Sequence, residues 1–308
     1  IRPAKGIHIT VPWHKVRNDI AAVVPVPKDR RSVFVVPWPG TDGTVGGEGS
    51  VTYIGTTDTD YDGEVDDPQC TAGDIAYLLG AINNSVSEPL DESDVIGTWA
   101  GLRPLVSDAS SSRTADLSRR HRVLTSHSGM VTVTGGKLTT YREMAEDAVG
   151  AAIRVIGEPL PRRAGRSRTR TLRLRGADGW DRARDTDLHL AERYGGEAGV
   201  LFAMIANDPA LGEPLVPGLP YRRAEALYAV RYEMATTLDD VLSRRTRARL
   251  RGRDASAAAA DDVAELIAEA LGWSAADRAA QVTGYRAAAA RERQVPGLPE
   301  IAALAGGA

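Results

Sequence analysis

A glycine–glycine–lysine turn is the first feature of the chain whose residue types could carry chemistry. The segment VTGGKLTTYRE places Lys137 directly after Gly135 and Gly136. A nucleotide phosphate loop would need glycine five places before the Gly-Lys pair and Ser or Thr after the lysine. Those places hold Val131 and Leu138. The pattern therefore excludes a phosphate loop, and the glycines are expected to let the backbone approach another kind of group.

The residues that follow this turn predict a helix over 140–156. Thr140 and Glu143 have the T-x-x-E spacing of a capping box, and an apolar stripe comes behind them. That stripe consists of Met144, Ala148, Ala151, Ala152 and Val155. The first N–H groups of a helix and the positive end of its dipole favour an anionic partner. A glycine turn that merely joins a strand to a helix fits the same residues.

Lysine is rare in this chain, which draws attention to Lys137. Of 38 basic residues only four are lysine, namely Lys5, Lys15, Lys28 and Lys137. Lysine carries a compact point charge with a tunable pKa, whereas arginine carries a rigid planar fork, so the two differ in a site. An accidental surface lysine is the alternative interpretation.

Composition indicates an ordinary soluble protein. The 308 residues are 43% hydrophobic and 26% charged, with a net charge of -3, so the charge gives no reason to expect nucleic-acid binding. The single cysteine, Cys70, excludes an intrachain disulfide and suits a reducing compartment. No apolar run is long enough to span a bilayer, and the first residues do not form a signal peptide. We expect an intracellular protein.

The elements that must position the turn are mainly strands. Short β-rich runs separated by Pro, Asp and Gly predict an antiparallel sheet: IHITV, AAVVPV, SVFVVPW and SVTYIGTT, then VIGTWAGL and GMVTVTG. Thr71 and Asp74 predict a capped helix over 71–84. Residues 42–50, rich in glycine, are expected to form a long, mobile hairpin loop.

The amino-acid composition of the chain changes after Gly157. Residues 159–176 are rich in Pro and Arg and are interpreted as a solvated linker. The remainder is rich in alanine and predicted helical, with Ser274 and Asp277 capping one helix. A stripe that includes Met234 predicts one long helix with Met234 in the core: Leu227, Val230, Met234, Leu238, Val241 and Leu242. The predicted domains are 1–158 and 177–308.

An acidic segment copies the first half of a calcium-binding loop. DTDYDGEVDDPQ, from Asp58, has the D-x-D-x-D-G start, but its twelfth place holds Gln69 instead of a bidentate glutamate. We therefore expect an acidic surface turn, with Asp58 reaching inward, and no metal site. The five histidines lack metal-ligand spacing, and the chain has no G-x-S-x-G nucleophile motif.

Several long motifs in order carry a family resemblance. RPAKGIHITVP, IGTTDTDYDG, TWAGLRPLVSD and TVTGGKLTTYREMAEDAV closely resemble the FAD-dependent glycerol-3-phosphate dehydrogenases, and VRYEMATTLDDVLSRRTR resembles their C-terminal helical domain. The resemblance is dense over 2–149, moderate over 222–247 and loose elsewhere. It implies an α+β fold, in which a mainly antiparallel substrate domain, like that of amino-acid oxidases, precedes an all-α domain. The family's Gly-rich segment for the adenosine diphosphate half of FAD is not in this sequence, which implies the C-terminal portion of a longer enzyme.

The resemblance also implies roles for individual residues. Gly135, Gly136, Lys137, Leu138 and Thr139 would face the flavin, and Lys137 would lie where substrate and flavin meet. His8 matches the family's active-site histidine and would be the base or the anchor of the substrate hydroxyl. Thr56 would hydrogen-bond substrate or flavin, and Arg103 and Arg119 would bind substrate oxygens. Otherwise Thr56 is a strand-end hydroxyl and Arg103 the ion-pair partner of Asp108. The family places an acidic residue where this chain has Arg120, which is a departure beside Arg119.

The implied reaction is oxidation of sn-glycerol 3-phosphate to dihydroxyacetone phosphate by hydride transfer to FAD. Quinone or another acceptor would take the electrons, and a cytoplasmic location, a peripheral contact with the inner face of the membrane and a homodimer are further expectations. A glycerol-3-phosphate oxidase, an amine or amino-acid oxidase, and a calcium- or anion-binding module without enzyme activity are the alternatives. Three cations, Arg103, Arg119 and Lys137, favour a phosphate over a single carboxylate.

Overall fold

The chain folds into antiparallel strands followed by helices, as the sequence predicts. The structure, a computed structural model, describes residues 2–27, 29, 31–105, 120–157 and 167–301. Strands alternate with a few helices up to residue 157, and the regular secondary structure of the described residues beyond it is helical apart from one isolated bridge. The predicted α+β class is therefore confirmed. In the part of the chain that is described, no helix combines the length and apolar character that crossing a membrane requires.

The strands all lie in the first half of the chain. They are β1 (Arg2–Pro12), β2 (Ala22–Pro25), β3 (Ser32–Trp38), β4 (Val51–Gly55), β5 (Thr59–Asp60), β6 (Gly97–Leu105), β7 (Arg122–Thr125) and β8 (Val131–Thr134). The sequence patterns missed β5 and β7, which are only 2 and 4 residues long.

The helices are concentrated in the second half. They are α1 (Trp13–Val16), α2 (Ala72–Ile82), α3 (Tyr141–Ile156), α4 (Trp180–Arg184), α5 (Leu188–Tyr194), α6 (Ala198–Asn207), α7 (Arg223–Tyr232), α8 (Ala248–Arg251), α9 (Arg253–Ala258), α10 (Ala260–Leu271) and α11 (Ala275–Gln294). Short 3-10 turns occupy Glu92–Asp94, Leu138–Thr140, Gly195–Glu197 and Pro209–Gly212, and a π-helical turn occupies Asp240–Arg245.

Two compact units make up the chain, and each combines separate segments. The first unit comprises 1–6, 58–68 and 101–174, and the second comprises 7–57, 69–100 and 175–308. The second unit takes residues from both sides of the linker predicted at 159–176, whereas the first unit ends within that linker, of which 159–166 lie outside the described residues. The units therefore do not coincide with the predicted domains, whose boundaries stay a prediction.

In the second unit, one face of the sheet forms a hydrophobic core with α2. Strands β2, β3, β4 and the second half of β1 pair antiparallel in the order β2-β3-β4-β1. Alternate residues of these strands face α2 and are buried: Ile7, Ile9, Val11, Val33, Val35 and Ile54. Burying each such side chain contributes about 1.5–3 kcal/mol. Thr71 and Asp74 cap α2 reciprocally, at 3.3 and 3.0 Å, which confirms that predicted capping box.

The opposite face of the same strands carries His8, one of the predicted site residues. The register places Val23 opposite Phe34, Phe34 opposite Gly55, and Gly55 opposite His8. Directly opposed residues of an antiparallel sheet project to the same side. A row therefore runs across four strands on the face that does not contribute to the α2 core, and it ends at His8.

The helical part of the second unit has its own core. Buried residues from α5, α6, α7 and α10 pack together, among them Leu190, Leu201, Leu227 and Ile267. Glu225 of α7 is fully buried and ties the helices together. Its carboxylate accepts hydrogen bonds from His189 at 2.8 Å, Arg193 at 2.9 Å and the Tyr194 hydroxyl at 3.0 Å.

The prediction of one long helix with Met234 in the core is wrong. Helix α7 ends at Tyr232, and Met234 lies in the left-handed region with its side chain 85% exposed. The next helical segment has a cap of its own, because the Asp240 carboxylate accepts from the N–H groups of Thr236 and Thr237. That side-chain–backbone bonding competes with continuation of the helix.

The glycine-rich loop at 42–50 joins β3 to β4 and is held in place by hydrogen bonds. The N–H of Thr41 donates to the Glu48 carbonyl at 2.7 Å, and the N–H of Gly40 donates to the Thr44 carbonyl at 2.9 Å. Arg251 donates to the Gly49 carbonyl at 2.8 Å from the helical part. These hydrogen bonds argue against the mobility expected from the sequence.

The first unit contains the β7–β8 hairpin, α3 and the pairing of β5 with the start of β1. Its buried apolar cluster among the described residues consists of Ala4 and Leu105. Within the predicted stripe of α3, Ala151 is buried and Val155 is 43% exposed. The capping box predicted for Thr140 and Glu143 is wrong.

The Thr140 hydroxyl instead donates to the Lys137 carbonyl at 3.1 Å. A 3-10 turn precedes α3 and moves the start of the helix one residue on, so the threonine bonds backward into the turn. The helix itself, Tyr141–Ile156, matches the predicted span within one residue.

Candidate active site

The glycine–lysine turn connects β8 to α3 in the first unit. Gly135 and Gly136 both lie in the left-handed region, with φ of 72° and 80°. A Cβ on Gly136 would lie 2.5 Å from Sδ of Met144, so no other residue fits without displacement. Two successive left-handed residues reverse the chain, which brings the end of a strand directly to the start of a helix. The strand-to-helix glycine turn is therefore present, while the approach of another group to its backbone stays a prediction.

The far side of the turn is open to solvent. Lys137, Leu138 and Thr139 are all exposed, and the Leu138 side chain is 87% exposed. An exposed leucine at the start of a helix is a surface that another apolar group can cover. Because the first N–H groups of the helical segment lie in the same turn, the position suits a partner that is both flat and electron-rich.

His8 is fixed in orientation by two neighbours in the second unit. Its imidazole stacks parallel on the Trp99 indole, with ring centroids 4.5 Å apart and planes 3° apart. On the sheet it lies opposite Gly55, where a Cβ would come within 2.3 Å of the ring. Glycine at that position therefore makes room for the imidazole. Trp99 was not predicted, although it stands inside the quoted motif TWAGLRPL.

Trp99 also contacts a buried tyrosine. The Tyr53 ring meets the indole edge-on at 5.3 Å, and Trp38 packs on Tyr53 at 5.4 Å. The Tyr53 hydroxyl is buried and has no hydrogen-bond partner among the described residues. Burial raises the pKa of this phenol, so Tyr53 stays neutral and supports Trp99 through ring contacts.

The two threonines after β4 have different roles. Thr57 is buried, and its hydroxyl accepts a hydrogen bond from the N–H of Ile7 at 3.1 Å, which ties β1 to the end of β4. Thr56 is half-buried, and its hydroxyl donates to the Thr57 carbonyl at 3.1 Å. Since Thr56 directly follows Gly55, it lies next to the residue opposite His8. Of the two predicted residues, His8 lies opposite Gly55 in the sheet and Thr56 follows Gly55 in the chain.

Arg103 belongs to the first unit and forms an ion pair that the sequence did not predict. Its Nη1 lies 3.2 Å from Oδ1 of Asp58, and both side chains are partly buried. The inward-reaching Asp58 is therefore the observed partner of Arg103. Residues 106–119 lie outside the described residues, so the alternative partner Asp108 and the predicted site residue Arg119 have no structural account.

No metal centre is found among the described residues, since no group of three His, Cys, Asp or Glu side chains lies close enough to hold an ion. The acidic segment instead contributes β5, in which Thr59 pairs with Lys5 and Asp60 pairs with Ala4. The ammonium of Lys5 lies 5.9 Å from the Tyr61 ring.

Comparisons with known proteins point to one family. The family model of FAD dependent oxidoreductases matches residues 1–142, and that of the C-terminal domain of alpha-glycerophosphate oxidase matches 167–278. Glycerol-3-phosphate dehydrogenase 2 of Mycobacterium tuberculosis is 37% identical over 301 residues, which cover 93% of this chain and 48% of the relative. The mitochondrial glycerol-3-phosphate dehydrogenase of Mus musculus is 34% identical over 291 residues, which cover 89% of this chain and 38% of the relative.

A solved structure agrees with these relatives. The glycerol-3-phosphate dehydrogenase of Bacillus halodurans, determined in complex with FAD, superposes with a TM-score of 0.73 at 27% identity. The match covers 97% of this chain and 58% of that one. The chain spans about half the length of the curated relatives that it matches.

Proposed function

The chain belongs to the family of FAD-dependent oxidoreductases that includes the glycerol-3-phosphate dehydrogenases, and we propose that it is a portion of such an enzyme. The proposed reaction is oxidation of sn-glycerol 3-phosphate to dihydroxyacetone phosphate. The observation that carries the proposal is the glycine–lysine turn, which is open to solvent at the start of α3 and contains two left-handed glycines.

The residues of this turn fit FAD. Gly136 leaves no room for a side chain, and Leu138 offers an exposed apolar contact for a flat ring. The helix N-terminus next to them favours negative charge. We propose that Gly135, Gly136, Lys137, Leu138 and Thr139 contact the flavin. When bound, FAD accepts the hydride that the alcohol carbon gives up.

The remaining roles follow from the chemistry of an alcohol oxidation, which needs a group to accept the hydroxyl proton. His8 is proposed to accept that proton through its imidazole, whose plane is held by Trp99 and Gly55. Thr56, next to Gly55, can hydrogen-bond the substrate hydroxyl. Because Trp99 lies over one face of the imidazole, it also stabilises the cation formed when His8 takes up the proton.

Two cations are proposed to bind the anionic end of the substrate. Arg103 is oriented by Asp58, and a planar guanidinium suits the oxygens of a phosphate. Lys137 supplies a point charge beside the helix N-terminus. Arg119 is proposed for the same purpose on the family resemblance alone.

Quinone is the proposed electron acceptor, with a cytoplasmic location, a peripheral contact with the membrane and a homodimeric state. An apolar patch supports the membrane contact: Val23 and Phe34 are cross-strand partners, 60% and 52% exposed, and Ile20 beside them is 75% exposed. Exposed apolar surface of this kind suits the interface of a bilayer, from which a lipid-soluble quinone would arrive. The homodimer rests on the resemblance alone.

Oxygen as the electron acceptor is the second candidate. The description of the C-terminal family model names an alpha-glycerophosphate oxidase, which favours this possibility. Assays with sn-glycerol 3-phosphate in the presence of a short-chain quinone without oxygen, and of oxygen without quinone, distinguish the two. A D-amino acid and glycerol serve as the control substrates.

The decisive experiment uses the longer protein that contains these residues. Oxidation of sn-glycerol 3-phosphate should far exceed that of glycerol or a D-amino acid. Lys137→Ala should lower kcat/KM by roughly two to four orders of magnitude, because a cation is lost from a charge-stabilising site. Arg103→Lys should not restore wild-type activity, since a point charge cannot replace a fork. His8→Asn should lower kcat more than it raises KM.

The matched control is Arg286→Ala, a half-exposed cation of the helical part that pairs with Asp261. If Arg286→Ala lowers kcat/KM as much as Lys137→Ala does, at unchanged flavin content, the assignment of Lys137 to the site is wrong. Faster oxidation of a D-amino acid than of sn-glycerol 3-phosphate would refute the proposed substrate.

A further inference from the structure

A small cavity in the second unit contains a buried cation that the proposed reaction does not use. The cavity has a volume of about 170 Å³ and lies beside the start of β4 and the end of α8. Its walls are mostly apolar, with contributions from Pro12, Val51, Ile96 and Leu219. Arg251 of α8 lines the same space and is only 2% exposed.

The guanidinium of Arg251 is incompletely bonded. Its Nη2 donates to the carbonyls of Pro39 and Gly49, at 2.6 and 2.8 Å. Its Nε is buried and has no acceptor among the described residues. No carboxylate of the described chain lies within ion-pair distance of it, so the charge is balanced by carbonyl dipoles and by the face of the Tyr221 ring, 5.8 Å away. A buried charge without a counter-ion is costly.

Three other arginines of the same unit have carboxylate partners, two of them partly buried and one, Arg253, fully buried. Arg193 pairs with Glu225 at 2.9 Å, Arg249 with Glu292 at 2.6 Å and Arg253 with Asp254 at 2.7 Å. The last two flank Arg251 in sequence. The fold therefore supplies counter-ions to these guanidinium groups, and the described chain supplies none to the one that lines a cavity.

The neighbouring charges limit the charge of a ligand. Lys15 also lines the cavity, but its ammonium lies 2.8 Å from the carboxylate of Asp94, which is a cavity residue too. That pair is neutral as a whole, so Arg251 leaves one positive charge in excess. Asp94 would repel a second negative charge. The site suits a monoanion and not a phosphate dianion.

The volume and the walls of the cavity identify the rest of the ligand. A cavity of about 150 Å³ in another protein holds benzene, so a body of six to seven carbons fits here. We propose that this cavity, the Arg251 cavity, binds a small apolar monocarboxylate whose carboxylate accepts from the guanidinium. The site is separate from the residues assigned to flavin and substrate, and the proposal does not depend on the proposed function.

Benzoate tests the Arg251 cavity, with benzamide as the neutral analogue of equal shape. Binding to the 308-residue chain is measured by calorimetry, and by protein NMR shifts, at one fixed pH for both ligands. Benzoate should bind at least about tenfold more tightly than benzamide, since a charge-assisted hydrogen bond is lost in the amide. Inorganic phosphate should not compete with benzoate.

Substitutions separate the Arg251 cavity from non-specific binding. Asp94→Asn removes the repelling charge but keeps an oxygen for its backbone hydrogen bond, and it should tighten benzoate binding several-fold. Arg251→Met should abolish the preference for benzoate over benzamide. The control Arg286→Met lies outside the cavity lining and should change neither affinity.

Equal affinities for benzoate and benzamide, or unchanged benzoate binding in Asp94→Asn, would overturn the proposal. Persistence of the preference in a folded Arg251→Met protein would overturn it as well. If Arg251→Met does not fold, the Asp94→Asn measurement decides alone, because a gain in affinity cannot result from unfolding.

Discussion

Trp99 holds the imidazole of His8 in one plane, and this contact has a measurable consequence. In a longer protein that contains this chain and has the proposed activity, Trp99→Leu should lower kcat by about tenfold or more with a smaller change in KM, because His8 in its proposed role of proton acceptor would lose the geometry of proton transfer. Trp99→Tyr should retain more activity, since a smaller aromatic ring can still stack. In the 308-residue chain, the NMR signals of the His8 ring should lose their ring-current shift in Trp99→Leu.

Trp180→Leu is the matched control for Trp99, because that indole is 37% exposed and its recorded ring contact is with Arg184. It should leave kcat and the His8 signals unchanged. Loss of activity in Trp99→Leu without any change at His8 would mean that Trp99 acts in another way than by positioning the histidine.

Single residues differ in how far the sequence could predict them. His8, Thr56 and the glycine–lysine turn stand in contiguous motifs, so local sequence was sufficient to select them. The partners Trp99 and Asp58 are brought to His8 and Arg103 by the fold, over 91 and 45 positions of sequence respectively. Nothing in the sequence distinguishes Arg251 from the other arginines. Whether an arginine is buried depends on how distant segments pack, and the residue type does not indicate it.

Helix termini offer a direct comparison between two threonines at the element scale. Thr71 caps α2 through its side chain, whereas the Thr140 hydroxyl bonds to the backbone of Lys137 in the preceding 3-10 turn and makes no cap hydrogen bond to α3. Thr71→Ala should therefore reduce the free energy of unfolding by about 0.5–2 kcal/mol. Thr140→Ala should cost clearly less. Urea unfolding, monitored by circular dichroism, measures both free energies. A larger loss of unfolding free energy for Thr140→Ala than for Thr71→Ala would support the capping box that the sequence predicted at Thr140.

The buried carboxylate of Glu225 connects the helices of the second unit in a pH-dependent way. Burial alone opposes its ionisation, but the hydrogen bonds and charges of His189 and Arg193 hold its pKa below the ordinary value. A group with a lowered pKa in the folded state stabilises the fold above its unfolded pKa, and this contribution disappears as the pH falls through the folded pKa. The free energy of unfolding should thus fall on acidification below about pH 4.5.

Glu225→Gln isolates this contribution. Removing the charge leaves Arg193 without its carboxylate, so the unfolding free energy at pH 7 should drop by roughly 3–5 kcal/mol. The difference between wild type and Glu225→Gln should narrow as the pH falls from 6 to 3. A pH-independent difference would show that packing, and not the charge, accounts for the loss. Glu265→Gln, on an exposed position of α10, is the control.

Helix and strand positions were predictable where one element has one exposed and one buried face. Helices α2 and α3 and the longer strands followed from periodicity and turn residues. The interruption after Tyr232 did not, because the apolar spacing continues through Met234 while Asp240 caps a new segment. Competition between a side-chain cap and helix continuation depends on a few hydrogen bonds, which a periodic pattern does not register.

The two units of the molecule differ in how well they cover their apolar residues. The second unit has two extensive cores, whereas the first buries Ala4 and Leu105 together and leaves large side chains exposed. These exposed residues include Leu124, Met130, Leu138, Tyr141, Val149 and Ile156, all above half exposure. Soluble proteins rarely leave such surface uncovered. Since the chain spans about half of its curated relatives, we expect the rest of a longer protein to cover it.

This expectation predicts how the 308 residues behave alone. The turn proposed to contact the flavin lies in the poorly covered unit, and the family resemblance implies that most FAD contacts come from a segment that this sequence does not contain. The purified chain should therefore be colourless, inactive with sn-glycerol 3-phosphate, and strongly fluorescent with a hydrophobic dye. The longer protein should bind FAD and give several-fold less dye fluorescence per mole.

Substituting Leu138 and Tyr141 by Ser should lower dye binding by the 308-residue chain, whereas the control Ile20→Ser, in the second unit, should leave most of the dye binding unchanged. A yellow 308-residue preparation that turns over substrate would refute the assignment of FAD binding to the missing part.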